Sequence, residues 1–404
     1  MPKKSTSRRR FISTALTLPL LTNMADAQEK SKDTRITRIV HCMIRSKRPK
    51  LIGNNSRGGI HGDGANDVFL RIFTNSGHEG FGFGRLKKDA AQSLLGKNPL
   101  DLLDQKARRV FGPFGTGTTA IWDLVGQITG KPVHQLLGGN GAKQVPVYDG
   151  SIYFADLLPD QAARWKDRFR EEIDMGFKAG HKAFKVKVGR GSKWVERKAG
   201  DVRDIEVLRT IRNHAGRDVL IGIDANNGYD LAGAKRLLGE VGDLNLAFAE
   251  EMFPETVEHC LEFKAFLRDN KIKTLVADGE SHKDASTFKP FVKARAIEIL
   301  QGDMKRFGFE GILEEAALAA TENLLVAPHN WGSLLGYYMQ LQIGRAIPNF
   351  YRAEHDPLSS PVILADGYSR KDGIATVPDS PGCGLRIDET AFASHARVFY
   401  DLRK

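Results

Sequence analysis

Short apolar runs alternate with amphipathic stretches of helical period from residue 144 to residue 327. Helical patterns such as Ile205–His214 and Gly308–Thr321 lie between the runs. This alternation predicts parallel βα units, and seven or eight units in about 200 residues suit a closed βα barrel. The alternative is an open doubly wound sheet, but no G-x-G-x-x-G follows the first run. The runs are Gln144–Tyr148, Ala183–Val188, Val219–Asp224, Leu246–Glu250, Thr274–Asp278, Ala296–Leu300 and Leu324–Ala327.

The part of the chain before this alternation has a different pattern. Residues 34–85 are typical of strands, and residues 86–138 are typical of helices that end at Gly138-Gly139. Between the first two strands lies Pro49–Asn66, which is rich in glycine, asparagine and charge and predicts a long loop. A loop of that length inside a compact domain is usually functional or mobile. The predicted strands are Arg35–Arg45, Asp67–Thr74 and Gly80–Arg85.

Residues 1–27 have the three parts of a secretory signal peptide. A basic start precedes the apolar run Phe11–Thr22, whose 12 residues are too few to span a bilayer, and Ala25-Asp26-Ala27 is an A-x-A cleavage pattern. Ser7-Arg8-Arg9-Arg10-Phe11-Ile12 resembles the bacterial twin-arginine export signal, while an ordinary Sec signal or a chance basic tail are the alternatives. We therefore expect export to the periplasm or secretion. No later stretch approaches an apolar run of roughly 20 residues, so no membrane span is expected.

The net charge of +11 raises the question of a nucleic-acid partner. Residues 1–27 hold five basic residues and one acid, a balance of +4 that leaves +7 for the remaining 377 residues. No basic stripe with interleaved aromatic residues follows, and no recognised nucleic-acid module is present, so we expect no nucleic-acid binding. The three cysteines are too few and too widely spaced for a disulfide scaffold or a cysteine zinc site.

Acidic residues follow the ends of three consecutive apolar runs. Asp224 ends one run, Glu250 ends the next, and Glu280 closely follows the third. In a barrel these positions surround the mouth formed by the carboxyl ends of the strands, where active sites lie. Three carboxylates gathered there repel one another unless a cation neutralises them, and an all-oxygen set favours Mg²⁺. Taken singly, each acid could be an N-cap or a surface residue, but three in consecutive units make that interpretation poor.

Two lysines lie on the run that precedes the first of these acids. Lys185 and Lys187 are two residues apart, so both should point into the barrel mouth while Phe184, Val186 and Val188 pack outward. A solvated basic edge strand is the alternative, but a barrel strand has no exposed edge. A cationic neighbour lowers the pKa of a second amine and makes it a usable base. We interpret Lys187 as the base, and Lys185 as the neighbour that tunes its pKa and contacts a substrate carboxylate.

A second candidate base is His329, which follows the last apolar run. A lone histidine is more often a packed structural residue than a catalyst. Here Asp303 lies one βα unit earlier, and a carboxylate on one ring nitrogen would fix the tautomer and leave the other nitrogen free for proton transfer. Glu354, one unit later, could hydrogen-bond a developing oxyanion.

In this order, these motifs resemble those of the enolase superfamily, in its mandelate racemase-like subgroup, over about residues 34 to 388. Each piece alone is a weak signal, whereas the ordered set is highly specific. The motifs are Ile121-Trp122-Asp123-Leu124, Gly130-Lys131-Pro132-Val133, Gln135-Leu136-Leu137-Gly138-Gly139, Lys185 with Lys187, Asp224-x-Asn226, Glu250-Glu251, Gly279-Glu280, Asp303-Met304-Lys305, His329, Glu354 and Val377-Pro378-Asp379-Ser380-Pro381-Gly382-Cys383-Gly384.

The resemblance implies a modified TIM-type (β/α)₇β barrel with an α+β capping domain. The expected division is a cap over residues 34–142, a barrel over 143–354 and a segment over 355–404 that returns to the cap. The resemblance also implies Mg²⁺ on Asp224, Glu250 and Glu280, and abstraction of the proton α to a substrate carboxylate. It also favours a homo-oligomer. The expected binding partner is a small-molecule carboxylate substrate.

Two motifs depart from the resemblance. Where many members have Glu-Glu-Pro, this chain has Glu250-Glu251-Met252-Phe253-Pro254. After the histidine it has Asn330-Trp331-Gly332, which does not indicate a subgroup of known substrate. Neither departure removes a predicted metal ligand or base, so abstraction of the α-proton is still expected. The identity of the substrate is not indicated.

Two opposed bases allow two overall reactions. Lys187 and His329 could exchange one α-proton, which is racemisation or epimerisation. Alternatively Lys187 takes the α-proton and protonated His329 gives a proton to a departing β-hydroxyl, which is dehydration to a 2-keto-3-deoxy acid. Members with the full Lys and His–Asp set are mostly acid-sugar dehydratases, so the resemblance favours dehydration of a sugar acid. A secreted sugar-acid binding protein without catalysis is a third hypothesis, which the complete set of bases disfavours.

Four further residues are candidate substrate contacts. Asn226 belongs to the Asp224-x-Asn226 motif, and Lys50, Arg57 and His61 lie in the loop predicted between the first two strands. This basic loop could close over the distal hydroxyls or the second carboxylate of an anionic substrate. The alternative is a loop that is only mobile and solvated.

Overall fold

The computed structural model describes residues 33–115 and 117–404. The signal peptide predicted in residues 1–27 lies outside the described residues. The first three strands are β1 (Ile36–Ile52), β2 (Gly62–Thr74) and β3 (Glu79–Phe83). They form an antiparallel sheet that the last strand of the chain, β18 (Ala396–Arg403), completes beside β1. The segment after the barrel therefore returns to the sheet with which the described chain begins.

The loop between β1 and β2 is shorter than the sequence predicts. The expected loop Pro49–Asn66 is wrong in extent, because β1 continues to Ile52 and β2 begins at Gly62, which leaves residues 53–61. The polar ends of the two strands are paired, with Arg45 opposite Asn66 and Lys47 opposite Gly64. Backbone pairing needs no apolar side chain, so a polar, glycine-rich stretch can still be a strand.

Three helices and a short hairpin complete the first part of the chain. The longest of these helices, α2 (Thr119–Thr129), lies directly on β3, because a Cβ added at Gly80 would lie 2.3 Å from the Leu124 nitrogen. It ends at Gly130, whose φ of 66° is left-handed and suits glycine. The elements are α1 (Lys88–Gln92), β4 (Leu103–Asp104), β5 (Arg109–Val110), α2 (Thr119–Thr129) and α3 (Val133–Leu136).

Eight parallel strands then close into a barrel. Strands β6 to β12 are neighbours in sequence order, β13 pairs with β6, and a bridge between Val326 and Phe350 links the two ends. The barrel strands are β6 (Gln144–Ile152), β7 (Ala183–Lys187), β8 (Leu220–Asp224), β9 (Phe248–Glu250), β10 (Leu275–Asp278), β11 (Ile299–Leu300), β12 (Leu325–Val326) and β13 (Ala353–His355). All seven predicted apolar runs overlap barrel strands.

One helix follows each of the first seven barrel strands, so the predicted (β/α)₇β barrel is confirmed. Helix α9 (Met304–Ala320) is interrupted at Gly308, whose φ of 62° is not helical. The helices are α4 (Trp165–Lys178), α5 (Arg197–Ala215), α6 (Leu231–Val241), α7 (Val257–Asp269), α8 (Lys289–Ala294), α9 (Met304–Ala320) and α10 (Leu334–Ala346). No helix within the described ranges is both long and apolar enough to span a membrane.

Smaller elements follow the barrel. A hairpin of two strands extends the barrel sheet by antiparallel pairing with β6, and a two-stranded ribbon leads to the last helix. These elements are β14 (Ile363–Leu364), β15 (Ser369–Lys371), β16 (Ile374–Thr376), β17 (Arg386–Ile387) and α11 (Glu389–His395). Short 3₁₀ helices occupy Pro99–Leu102, Ala155–Leu157, Ala162–Arg164, Arg190–Ser192, Gly242–Leu244 and Ala285–Phe288.

An apolar layer closes the inside of the barrel below its mouth. The layer consists of Tyr148, Ala183, Phe248, Ala277, Ile299 and Ala327, all buried. Gly222 on β8 makes room for it, since a Cβ there would lie 2.2 Å from the Phe248 ring. Polar side chains above this layer are therefore confined to the carboxyl ends of the strands.

Candidate active site

The predicted lysines and acids meet at the mouth of the barrel. Lys187 lies opposite Asp224 in the pairing of β7 with β8, and Asp224 lies opposite Glu250 in the pairing of β8 with β9. Glu280 follows β10 by two residues. Because neighbouring strands end at the same height, these side chains form one cluster. Within the described ranges, no group of three or more Asp, Glu, His or Cys side chains is already arranged as a metal-binding site.

The acids in the cluster pair with cations instead. The Nζ atom of Lys185 lies 2.7 Å from Glu250 Oε1, 2.8 Å from Glu354 Oε1 and 3.2 Å from Asp224 Oδ2. Lys187 also forms an ion pair with Asp224 and donates a hydrogen bond of 2.8 Å to Asn226 Oδ1. All of these side chains are at least nine-tenths buried. The expected inward direction of both lysines is observed.

The balance of charge in this cluster fits a divalent cation. Burial and repulsion from Asp224 raise the pKa of Glu250 well above its ordinary value, although Lys185 opposes them. Burial also opposes ionisation of Asp224, but Lys187 and Lys185 outweigh it and hold the pKa of Asp224 low. The two buried carboxylates repel each other even though the lysines pair with them, and their donors are all oxygen, which suits a hard cation. Asp224, Glu250 and Glu280 are the residues that would hold it.

The histidine and its predicted partner also meet. His329 Nδ1 lies 2.7 Å from Asp303 Oδ2, and Nε2 lies 3.0 Å from Glu280 Oε2 and 3.9 Å from Glu354 Oε2. Burial disfavours the charged ring, but Glu280, Asp303 and Glu354 outweigh it and raise the pKa of His329 to about 10. The ring is thus oriented by one carboxylate and held in the protonated form.

Glu354 links the two halves of the cluster. One of its oxygens binds Lys185, and the other accepts a hydrogen bond of 2.9 Å from the backbone nitrogen of Asn330. Burial opposes its ionisation, yet Lys185 and His329 lower the pKa of Glu354 below its ordinary value. Glu354 is therefore an anion between Lys185 and His329.

Of the three substrate contacts predicted between the first two strands, Arg57 reaches the cluster and His61 contacts Trp331. Arg57 Nη1 lies 3.6 Å from Glu280 Oε1, and its Nε donates a hydrogen bond of 3.0 Å to the Asn226 carbonyl. His61 Nδ1 accepts a hydrogen bond of 3.3 Å from the indole of Trp331. Lys50 is not brought to the cluster. It lies two residues before the end of β1, in a buried ion pair of 2.6 Å with Glu172 on α4.

Sequence reasoning overlooked several residues of the mouth. Glu251 accepts hydrogen bonds from Asn226 Nδ2 at 3.1 Å and from Ser281 Oγ at 3.2 Å, and burial and the charge of Glu280 raise its pKa to about 7. Its adjacency to Glu250 is the available signal. Tyr153 follows β6, where the strand-end argument applies equally. The predicted first run stops at Tyr148, whereas the strand continues to Ile152.

The fold is a closed (β/α)₇β barrel with an α+β cap. At the mouth of the barrel, acids lie between a lysine pair and a His–Asp pair. Together these features define a class of capped barrel proteins. Residues 168–391 match the family described as Enolase C-terminal domain-like. That match covers more than half of the chain. The chain therefore belongs to the enolase superfamily, in the mandelate racemase and muconate lactonizing enzyme subgroup. The sequence-based identification is confirmed.

Individual relatives agree with this assignment. A D-galactarolactone cycloisomerase of Agrobacterium fabrum is 29% identical over 289 residues, which are 67% of this chain and 70% of that protein. A solved galacturonate dehydratase of Geobacillus sp., complexed with D-galacturonate and 5-keto-4-deoxy-D-galacturonate, is 30% identical with a TM-score of 0.82, over 90% of this chain and 96% of that one. A mandelate racemase/muconate lactonizing protein of Geobacillus sp. Y412MC10, complexed with magnesium and tartrate, is 29% identical with a TM-score of 0.82, over 90% and 97% of the two chains.

Proposed function

We propose that this protein is an Mg²⁺-dependent carbon–oxygen lyase that dehydrates a sugar acid to a 2-keto-3-deoxy acid. The observation that carries the proposal is the placement of Lys187 and the His329–Asp303 pair around one cluster of acids. Lys187 ends β7 and His329 follows β12, and four strands separate them around one side of the eight-stranded barrel and two around the other. A substrate above the acids would therefore have a proton-transfer group on either side.

The residues divide the reaction between them. Lys187, in its neutral form, takes the proton from the carbon next to the substrate carboxylate. The Lys185 ammonium faces the acids and stabilises negative charge that develops on the carboxylate oxygens. His329 is oriented by Asp303 at 2.7 Å and protonates the departing β-hydroxyl. A bound Mg²⁺ supplies a Lewis acid for the same negative charge.

The comparisons support the substrate class and the metal in this proposal. The Geobacillus relative is named for dehydration of galacturonate, and the Agrobacterium relative is named for a sugar-acid lactone. Another Geobacillus relative was crystallised with magnesium and tartrate, a hydroxy acid. Arg57, at the rim of the acids, supplies a guanidinium suited to an anionic substrate.

The test is incubation of the protein with a library of sugar acids and Mg²⁺, followed by an assay for 2-keto acids. We expect one or a few acids to be converted, and Lys187→Ala to abolish conversion. Lys182→Ala is the matched control, because Lys182 is exposed and pairs with Asp372 away from the mouth. Deuterium at Cα without a keto product would show an epimerase instead. No turnover and no exchange with any acid in the metal-loaded protein would refute both reactions.

We also propose that residues 1–27 direct export through the twin-arginine route to the periplasm. The support is the Arg8-Arg9-Arg10 motif with its apolar run and cleavage pattern. Replacing Arg8, Arg9 and Arg10 with lysine should block export of a fused reporter. Export that continues unchanged would contradict the proposal. Homo-oligomer formation is likewise a proposal, to be tested by light scattering.

A further inference from the structure

Two aromatic side chains that the proposed reaction does not use lie between the cap and Lys187. Tyr153 follows β6 and Trp331 follows β12. Their rings are stacked, with centroids 4.7 Å apart and an angle of 24° between the ring planes. Lys187 Nζ lies 5.1 Å from the centroid of the Tyr153 ring, and Arg48 Cζ lies 4.6 Å from the centroid of the Trp331 ring. These four side chains, Arg48, Trp331, Tyr153 and Lys187, form a continuous series of contacts that we call the aromatic stack.

The cap holds the far end of the aromatic stack firmly. Arg48 on β1 makes a bidentate ion pair with Asp356, with Nε–Oδ1 and Nη2–Oδ2 distances of 2.7 and 2.6 Å. Asp356 also accepts a hydrogen bond of 2.9 Å from the backbone nitrogen of Gly332, next to Trp331. The side chains of this ion pair are 2% and 0% exposed. A buried bidentate pair of this kind fixes both the position and the plane of the guanidinium.

The loop of residues 53–61 adds a second hold on the same rings. His61 accepts the Trp331 indole hydrogen bond, and its ring lies 4.8 Å from the Tyr153 ring in an edge-on arrangement. Tyr153 is itself 3% exposed. The two rings are therefore fixed by cap residues on one side and by the barrel wall on the other.

The near end of the aromatic stack acts on a flexible side chain. The polar contacts of Lys187, with Asp224 and Asn226, come from the end of β8. Tyr153 comes from β6, on the other flank of β7. A ring face attracts an ammonium group without accepting a directed hydrogen bond to it, so the ring can restrict the amine without occupying its lone pair once the proton has left.

We propose that Tyr153 is a positioning residue for Lys187, and that Trp331, Arg48 and His61 hold Tyr153 in place, which links correct seating of the cap to the position of the base. This inference rests on the proposed function, in which Lys187 takes the α-proton. It assigns a role to the Asn330-Trp331-Gly332 motif, which the resemblance to the family left unexplained.

The test compares variants that keep a ring with variants that remove it. Tyr153→Phe keeps the ring and loses only the hydroxyl, whereas Tyr153→Leu loses the ring. We expect Tyr153→Phe to retain the wild-type kcat and rate of α-proton exchange in D₂O. We expect Tyr153→Leu to lower both about 100-fold, the loss typical of a misplaced catalytic group, while KM changes little. Trp331→Phe and Trp331→Leu should show the same contrast in smaller measure.

One control variant and one alternative variant make the result decisive. Tyr338→Leu removes a ring that lies beside Tyr337 and Tyr368, outside the mouth, and should leave kcat unchanged. If Tyr153→Leu does not fold by circular dichroism, Trp331→Leu serves as the second variant. A folded Tyr153→Leu with wild-type exchange would overturn the inference, as would a Tyr153→Phe that is equally impaired. Absence of exchange in the wild-type protein would instead overturn the proposed function, and this inference with it.

Discussion

The Asp303→Asn variant separates the two proton transfers that the proposed reaction requires. Asp303 accepts the His329 Nδ1 proton across 2.7 Å, and this carboxylate is one of the three charges that raise the pKa of His329 to about 10. A hydrogen bond between charged groups contributes about 1.5–3 kcal/mol, which corresponds to roughly a 10- to 150-fold change in rate. We therefore expect dehydration to slow by about that factor, because His329 loses its orientation and part of its charge.

The same variant should leave the first proton transfer largely intact, since Lys187 and its contacts are unchanged. Exchange of the substrate α-proton, measured by NMR in D₂O, should persist while the 2-keto acid forms slowly. Asparagine also keeps the helix cap, because the Asp303 side chain caps α9 by accepting the Arg306 N–H at 2.9 Å. Asp230→Asn is the control for an Asp-to-Asn change at a helix cap, because Asp230 caps α6 in the same way and accepts the Gly233 N–H. Equal loss of exchange and elimination would refute this division of roles.

Three other perturbations test separate parts of the structure. Lys50→Met should destabilise the fold by about 1.5–3 kcal/mol in urea denaturation and leave KM unchanged, because buried Glu172 loses one charged partner and keeps Arg168 at 2.9 Å. Glu280→Gln should weaken Mg²⁺ binding in calorimetry, and unchanged affinity would count against that ligand. Burial raises the pKa of Glu315 to about 8 from 4.5. Between these two pKa values the folded protein keeps this proton while the unfolded chain loses it, so the stability of the fold should decrease as the pH rises from 4.5 to about 8. Glu315→Gln should remove this pH-dependent loss of stability, and an unchanged dependence on pH in the variant would contradict the reasoning.

The barrel and the centre of the site could be predicted because their signals are local. A strand of a closed barrel is buried on both faces, so each leaves an apolar run in the sequence, and the residue that ends the run must lie at the mouth. Asp224 and Glu250 follow from this rule alone. The two-residue spacing of Lys185 and Lys187 fixes their common direction in the same way. Strand β13 consists of Ala353, Glu354 and His355, and its two polar residues leave no apolar run.

The contacts between cap and barrel could not be predicted because they join residues that are distant in sequence. Arg48 pairs with Asp356 across 308 positions, and no local pattern of either segment indicates it. Lys50 and Arg57 lie in the same polar stretch, yet Lys50 is buried against Glu172 while Arg57 reaches Glu280. The difference depends on where β1 ends, and pairing with β2 determines that point.

The most direct test of the central claim is the rate at which the metal-loaded wild-type protein and Lys187→Ala exchange the α-proton of a sugar acid with D₂O. The structure places the Lys187 amine beside Asp224 and Asn226 at the mouth, with His329 and its partner Asp303 across from it. We predict deuterium at Cα with the wild-type protein and none above background with Lys187→Ala. Exchange at the wild-type rate in Lys187→Ala would contradict the assignment of this residue as the base.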